Sequence, residues 1–252
     1  MKSIRRSAGL AALALFAALP ASAQELPPAK QIVDRYVEAI GGRAALAKLN
    51  TRHSVVEMSM PAMGMSMTVE MFQARPNKMF SRMEMQGMSF TSGYDGQVAW
   101  SNNPMQGPRL LEGAEMAQTL QQADFDASMD YAKSFPTMET VGRREVAGRP
   151  CWNVRMVHTS GIEMHNCYDV DSGLLIGASA KQVSAMGEVE ANLVFSDYQV
   201  FDGVRMATKT TTSMMGQEMT ATLKSVTHGP VDPAVFELPA EIKALVAQRP
   251  RQ

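Results

Sequence analysis

Methionine is the residue type in this sequence whose spacing could do chemistry, with 22 copies among 252 residues. Two Met-x-Met pairs, Met58 with Met60 and Met65 with Met67, flank a short turn. Thioether sulfur is a soft ligand, so such pairs could hold copper(I). The same flexible side chain also fills cores and lines apolar cavities. We favour the apolar role, because the nearest histidine, His53, has the opposite strand parity from Met60, and we predict no metal site.

The sequence contains no other pattern that indicates catalysis or cofactor binding. There is no G-x-S-x-G nucleophile motif and no glycine-rich phosphate loop. The four histidines form no H-E-x-x-H pair, and His158 and His165 are expected at the surface rather than at a metal. We therefore predict a protein that is not an enzyme, with no catalytic residues and no cofactor.

The first residues have the features of an export signal. Basic residues precede an apolar run from Ala8 to Leu19, and Ala21-Ser22-Ala23 is an A-x-A cleavage site. The run is too short to span a bilayer. We predict a signal peptide at 1–23, cleaved after Ala23, and a soluble periplasmic protein made of a single domain at 24–252. The net charge of −1 argues against a nucleic-acid partner, and we expect a monomer.

Alternation of apolar and polar residues predicts two β-hairpins early in the chain. In a strand, every second side chain points to the same face, so the turn length decides which apolar residues meet. The expected pairs are Met60 with Met65, Met58 with Met67, Val56 with Val69, Met85 with Met88, Met83 with Phe90, and Met79 with Tyr94. One face of the sheet is thereby lined with apolar side chains.

Helical spacing occurs at the start of the mature chain and again near its middle. Apolar residues from Ile32 to Ile40 form a stripe that ends at Gly41-Gly42. Between Arg109 and Ser134 the apolar residues stop alternating, and we predict two short helices there, starting at Gly113 and Asp124. Turn signals in the rest of the chain indicate further strands, so we expect about ten to twelve strands in all.

Cys151 and Cys167 are predicted to form a disulfide, because the chain is exported and the two cysteines flank one hairpin. Both have the polar parity of their strands, so both thiols are expected to point outward. A three-residue loop at Thr159–Gly161 would set Cys167 opposite Asn153. The cysteines would then lie on a diagonal about 7–8 Å apart, too far for relaxed bridge geometry. The disulfide is therefore expected to require a wider loop, in which Met156 pairs with Ile162.

A series of short motifs is distributed over about residues 28 to 240: Tyr36-Val37-Glu38-Ala39-Ile40-Gly41-Gly42, Arg75-Pro76-Asn77-Lys78, Gly93-Tyr94-Asp95-Gly96, Ala99-Trp100-Ser101, Asn103-Pro104-Met105, Gly113-Ala114-Glu115, Asp197-Tyr198 and Asp202-Gly203-Val204. Together they resemble outer-membrane lipoprotein-sorting proteins of the LolA/LolB-like superfamily. The resemblance implies a mainly β fold, an open antiparallel half-barrel with a few helices on its concave face. It also implies an apolar cavity, in which well-studied members carry lipoprotein acyl chains across the periplasm.

We expect this protein to bind an apolar ligand, such as the acyl chains of a lipid or lipoprotein. A transient partner at the inner or outer membrane would load or receive the ligand. The pocket is expected on the concave face, with a volume of several hundred Å³, as is usual for small-ligand sites. Its wall is predicted to contain Met58, Met60, Met67, Met71, Met83, Phe90, Met116 and Tyr131.

Two alternatives use the same sheet differently. The first is a periplasmic copper(I)-binding protein. Its thioethers would come from the Met-x-Met pairs at 58–67, or from a second group formed by Met214, Met215 and Met219. The second is an outer-membrane-associated structural domain with a filled core and no ligand.

Overall fold

The computed structural model describes residues 26–184 and 187–249; the predicted signal peptide and Met186 lie outside these residues. The described helices are α1 (Ala29–Ala39), α2 (Gly42–Leu46), α3 (Gly113–Ala123), α4 (Tyr131–Ser134) and α5 (Ala240–Ala247), with 3₁₀ turns at Pro61–Met63 and Pro233–Phe236. The strands are β1 (Thr51–Met60), β2 (Met65–Ala74), β3 (Lys78–Met85), β4 (Met88–Tyr94), β5 (Ala99–Asn103), β6 (Gly107–Leu110), β7 (Thr137–Val146), β8 (Arg149–Val157), β9 (Glu163–Asp169), β10 (Leu175–Ser184), β11 (Gly187–Phe201), β12 (Val204–Met214) and β13 (Gln217–Thr227).

All these strands belong to one 13-stranded sheet in the order β6-β5-β4-β3-β2-β1-β13-β12-β11-β10-β9-β8-β7. Neighbours are consecutive in sequence except at the centre, where the first strand pairs with the last, β1 with β13. The edges are β6 and β7, and residues 113–134, here called the helical insert, connect the two edges across the concave face. The predicted fold class, an open half-barrel with helices on its concave face, is confirmed.

The sheet has more strands than the ten to twelve expected, because β6 occupies part of the region assigned to helices. Trp100 of β5 pairs with Leu110 of β6. The first inserted helix begins at Gly113 as predicted, but the second begins at Tyr131 rather than at Asp124. The Asp124 carboxylate does accept a hydrogen bond from the Asp126 N–H at 3.2 Å, as a capping residue would, but only a turn follows it.

Helix α1 buries its predicted apolar stripe, including Ile32, Val33 and Val37, against β8 and β9. The helix ends before Gly41, which has a φ of 127°. A Cβ atom at this position would lie 2.4 Å from the carbonyl oxygen of Gly203. Only glycine allows both the positive φ and this close approach, so the end of α1 can pack directly on the turn before β12.

The registers predicted for the two N-terminal hairpins are confirmed for all six residue pairs. In each hairpin a glycine takes a left-handed conformation in the turn, Gly64 with φ 61° and Gly87 with φ 78°. Turn chemistry and apolar parity agree on one register here, which is why local sequence was sufficient to predict it.

Apolar side chains on the concave face form two clusters. One surrounds α1 and includes Tyr131 from the helical insert and the adjacent Phe135, packed over β8 and β9. The other lies beneath α3 and includes Met79 and Tyr94, with Met116 packed against it. The two helices of the insert are therefore anchored on opposite halves of the sheet.

The predicted disulfide between Cys151 and Cys167 is present, with a Cα–Cα distance of 5.3 Å. The register predicted with it is wrong. Cys167 lies opposite Asn153, and the His158 N–H donates to the Ile162 carbonyl at 2.8 Å, which closes the short three-residue loop. Strands twist right-handedly, so the two diagonals between neighbouring strands are not equal. The cysteines lie on a diagonal short enough for a bridge.

Both cysteines lie on the outward, convex face of the sheet as expected, but they are not exposed to solvent. Cys151 and Cys167 lie on the convex side of β8 and β9, opposite to the side that packs on α1, yet they are 0% and 2% exposed. Val146 and Ile176 cover them and form a small apolar cluster with them.

Candidate functional site

A cavity of about 1070 Å³ lies between the helical insert and the concave side of β8 to β11. Its apolar lining includes Val33, Tyr36, Tyr131, Phe135, Met156, Met164, Tyr168, Leu175, Ala178, Ala180, Leu193 and Phe195. Its polar lining includes Glu115, Gln118, Gln121, Gln122, Ser128, Ser160, Glu163, His165, Asn166, Ser179, Lys181 and Glu190. The cavity is larger than the predicted several hundred Å³. Its wall is also more polar than the methionine-rich wall that was predicted.

Small side chains on β10 leave room for this cavity. Ala180 lies opposite Met164 of β9, and Ala178 lies opposite Leu193 of β11. Paired residues of antiparallel strands share a face, so the methyl groups of Ala178 and Ala180 lie beside the longer side chains of Leu193 and Met164. The result is a trough along β10, here called the alanine trough. The alternation Ala178-x-Ala180 is the sequence signal that could have located the cavity.

A buried polar cluster fixes the end of α3 to the loop after β8. Asp124 Oδ2 accepts a hydrogen bond from Ser134 Oγ at 2.5 Å and lies 3.3 Å from His158 Nε2. Burial alone would raise the pKa of Asp124, but the hydrogen bonds from His158 and Ser134 hold it below its usual value. The expectation of a surface His158 is wrong, since this residue is 4% exposed and packs edge-on against Phe135.

Ser160, His158 and Asp124 follow one another in space, but not as in a serine hydrolase. His158 Nδ1 lies 2.8 Å from Ser160 Oγ and also accepts the backbone N–H of Ser160 at 3.1 Å. The lone pair of Nδ1 is therefore engaged by the backbone, and Nε2 carries the proton that faces Asp124. A histidine in this state is a turn-stabilising group rather than a base that activates the serine.

A second polar contact ties α4 to α1. The Tyr131 hydroxyl donates to Asp34 Oδ1 at 2.7 Å, and Asp34 also pairs with Lys30 at 2.6 Å and Arg43 at 3.2 Å. Burial, and then the hydrogen bond to Asp34, raise the pKa of Tyr131, so it remains a donor at neutral pH. Hydrogen bonds from Lys30 and Tyr131 lower the pKa of Asp34.

The residues predicted to line the pocket are divided by the helical insert. Tyr131 lines the cavity, whereas Met71 and Met116 both pack against the cluster that contains Met79 and Tyr94. The others lie, by register, on the same face as Met71, and each is half-buried: Met58, Met60, Met67, Met83 and Phe90. Their role in ligand binding stays a prediction.

Two arginines that hold the insert to the sheet were not predicted. Arg75 Nε and Nη2 contact Asp126 Oδ1 at 2.8 and 2.7 Å, and its Nη1 donates to the Ala47 carbonyl at 3.2 Å. The Phe125 ring lies between the two guanidinium groups, 5.4 Å from Arg75 and 5.8 Å from Arg52. These distances are typical of cation–π contacts.

Arg52 is connected to α3 through an amide. Its Nε donates to Gln73 Oε1 at 2.9 Å, and Gln73 Nε2 donates to the Gln122 carbonyl at 2.8 Å. The sequence does contain a signal for this network. Arg52 has the same parity on β1 as Met58 and Met60, and a charge on an apolar face points to a specific role.

Within residues 26–184 and 187–249, no three His, Cys, Asp or Glu side chains are grouped so that they could hold a metal ion. None of the helices in this part of the chain has the length and hydropathy needed to cross a membrane.

No protein-family model and no curated protein matches the sequence. Solved structures do match it. A DUF1329 family protein from Desulfovibrio piger has a TM-score of 0.57 at 14% identity, covering 84% of this chain and 98% of its own. A LolA superfamily protein from Nitrosomonas europaea has a TM-score of 0.58 at 9% identity, covering 84% and 99%.

A third structure, a candidate outer membrane lipoprotein-sorting protein domain from Vibrio parahaemolyticus, has a TM-score of 0.55 at 10% identity, covering 82% of this chain and 94% of its own. Identities this low establish the fold alone. The fold that the sequence motifs implied is the one found, and this chain has the fold of the LolA superfamily.

Proposed function

We propose that this protein is a non-catalytic periplasmic carrier for an apolar ligand, such as the acyl chains of a lipid or lipoprotein. The observation that carries the proposal is the cavity of about 1070 Å³ above the alanine trough. Small-ligand sites usually measure about 300–1,000 Å³ and are lined by apolar and aromatic side chains with a few polar groups. The cavity reaches the upper end of this size range, and its lining combines aromatic and aliphatic side chains with a larger share of polar groups.

The energetics suit a carrier that must also release its ligand. Each methylene removed from water contributes about 0.8 kcal/mol. Burying an acyl chain of about fifteen methylenes would therefore contribute about 12 kcal/mol, and a cost of roughly 4 kcal/mol for immobilising the chain leaves about 8 kcal/mol, which corresponds to a micromolar Kd. The expected affinity is micromolar, strong enough for loading and weak enough for transfer to a membrane partner.

The disulfide supports an extracytoplasmic location, because such bonds persist in oxidising compartments. The predicted signal peptide agrees with this location. The Vibrio parahaemolyticus structure of the same fold is a candidate outer membrane lipoprotein-sorting protein domain, which fits a ligand with acyl chains. We expect the carrier to act as a monomer and to meet its membrane partner transiently.

Fluorescence titration with dansylundecanoic acid tests the proposal. Wild-type protein is expected to bind the probe with a micromolar Kd. Ala180→Phe fills the trough between Met164 and Ala191, the residues opposite Ala180 on the neighbouring strands, and should weaken binding at least tenfold. Thr68→Phe is the matched control, since Thr68 is exposed on β2 outside the cavity, and it should bind as the wild type does.

Native mass spectrometry of the protein purified from its own periplasm identifies the ligand. A co-purified lipid mass that Ala180→Phe loses would support the carrier. Protein that carries no lipid and does not bind the probe would point to the structural domain with no ligand.

A copper(I) site is the second candidate function, and the order of the strands in the sheet supports it. Pairing of β1 with β13 brings the two methionine groups of the sequence together: Met58 lies opposite Ala221, two residues from Met219. Met60 and Met65 also lie opposite each other at the adjoining turn. Soft thioethers from three neighbouring strands could then converge on one cation.

A further inference from the structure

A second, smaller pocket of about 70 Å³ lies beside the cavity. Its apolar wall includes Ile40, Leu46 and Met206, and its polar wall includes Arg52 and Arg75. The pocket lies between the C-terminal ends of α1 and α2, the start of β12 and the middle of the helical insert.

Arg52 is the charged group in this pocket that lacks a counter-charge. Its Nε and Nη2 both donate to the neutral amide oxygen of Gln73. Within residues 26–184 and 187–249, no carboxylate forms an ion pair with Arg52, and no acceptor is found for its Nη1. Burial lowers the pKa of Arg52, yet a guanidinium remains protonated at neutral pH. The protein therefore holds a half-buried positive charge whose contacts are a neutral amide and the Phe125 ring.

The other polar side chains of the pocket already have partners. Arg75 pairs with Asp126 at 2.7 Å, and the His228 ring lies 2.9 Å from Asp202. Among the described residues, Arg52 is thus the cation of the pocket without a carboxylate partner, and such a site favours an anionic ligand. A guanidinium presents two N–H groups in a planar fork, which matches the two oxygens of a carboxylate.

The small pocket and the large cavity meet at the helical insert. Ser128 lines both. Arg52 and Ser128 line the same small pocket, so the guanidinium lies beside the part of the cavity wall that Ser128 forms.

We propose that Arg52 binds the carboxylate of an acyl ligand in this small pocket, with the hydrocarbon chain extending past Ser128 into the large cavity. The inference rests on the proposed carrier function and narrows its ligand class to acyl chains with a free acid. Nη1 and Nη2 contact the two carboxylate oxygens, while Gln73 keeps the guanidinium in place.

The test compares dodecanoate with methyl dodecanoate, which has the same chain without the charge. Competition against dansylundecanoic acid gives both affinities. Wild-type protein is expected to bind the acid at least tenfold more tightly than the ester. Arg52→Gln should bind the acid and the ester with equal affinity, because the substitution weakens binding of the acid alone. The ratio is measured on a single protein sample, so a partly unfolded fraction does not change it. Arg52→Lys should retain part of the preference, and Arg82→Gln, an exposed arginine of β3, should retain all of it.

Three results would overturn the assignment. Equal binding of acid and ester by the wild type would show that the protein does not recognise the carboxylate charge of the ligand. An unchanged preference in Arg52→Gln would place the anion elsewhere. Inorganic phosphate that binds in an Arg52-dependent way, without any acyl preference, would identify a free-anion site instead of a head-group site. If the wild type bound neither dodecanoate nor its ester, the carrier function itself would fail.

Discussion

The disulfide between Cys151 and Cys167 lies on the convex side of the same two strands whose concave side supplies Met156 and Met164 to the cavity. It joins residues 16 apart in sequence. A covalent link behind the cavity wall keeps β8 and β9 in one register, and so keeps the paired Met156 and Met164 side by side.

Replacing both cysteines with serine should therefore destabilise the fold. Closing a loop of this size contributes about 2–4 kcal/mol to the free energy of unfolding, and two buried hydroxyl groups would add a further cost. Urea unfolding followed by circular dichroism measures the change. Reductant should lower the stability of the wild type and leave the double variant unaffected. Equal stability of the two proteins without reductant would contradict the prediction.

Asp124→Asn should lower the free energy of unfolding by about 2 kcal/mol at pH 7, because the hydrogen bonds to a charged carboxylate are replaced by weaker ones. The pKa of Asp124 is lowered in the folded state. Its contribution is therefore complete above the unfolded pKa and is lost as the pH falls through the folded pKa. The difference between wild type and variant should shrink below about pH 4.

Urea unfolding at pH 7, 5 and 3 tests this dependence. Asp171→Asn serves as the control, because Asp171 is exposed, and it should have little effect at any of the three values. A difference for Asp124→Asn that stays constant down to pH 3 would show that the charge of Asp124 does not stabilise the fold.

The methionine face makes a separate prediction about the extent of the ligand site. Met67→Glu and Met83→Glu should abolish binding of dansylundecanoic acid if these half-buried side chains contact the ligand, since each would bury an unpaired charge against it. Met67→Leu and Met83→Leu keep the volume and apolar character and should bind normally. Unchanged binding by the glutamate variants would confine the site to the cavity above the alanine trough.

The copper(I) alternative predicts a thioether site that includes Met58, Met60, Met65 and Met67. Anaerobic titration against a competing chelator should then show binding at least tenfold tighter than in the variant with all four changed to leucine. Met219→Leu should weaken binding further if the β1–β13 pairing contributes a ligand. Met105→Leu, at a residue 74% exposed in another turn, is the control. Equal binding by wild type and the fourfold variant would remove the copper site.

The N-terminal hairpins were predictable because their information is local. The turn at Gly64 and the alternation on either side select the same pairs, from Met60 with Met65 to Val56 with Val69. The hairpin around residue 160 was not predictable in the same way. Its loop length is compatible with the observed register, but the sheet twist that brings Cys151 near Cys167 is a property of the assembled strands.

The candidate site was likewise predictable only in part from local sequence. Residue types and spacing identified an apolar sheet face and a helical insert, and Tyr131 does line the cavity. The alanine trough, the buried His158 and the arginines around Phe125 depend on which strands the insert covers. That choice is made by contacts between residues far apart in sequence, such as Arg75 with Asp126 and Asp124 with His158.

Periodicity, turn chemistry and short motifs were enough to predict most of the strands, the first helix, the disulfide partners and the LolA-like fold. The pairing of β1 with β13, the docking of α3 over Met71 and Met79, and the open space above β8 to β11 depend on contacts between distant parts of the chain. A cavity forms where packing fails to fill space. That depends on the sizes of side chains brought together from distant parts of the chain.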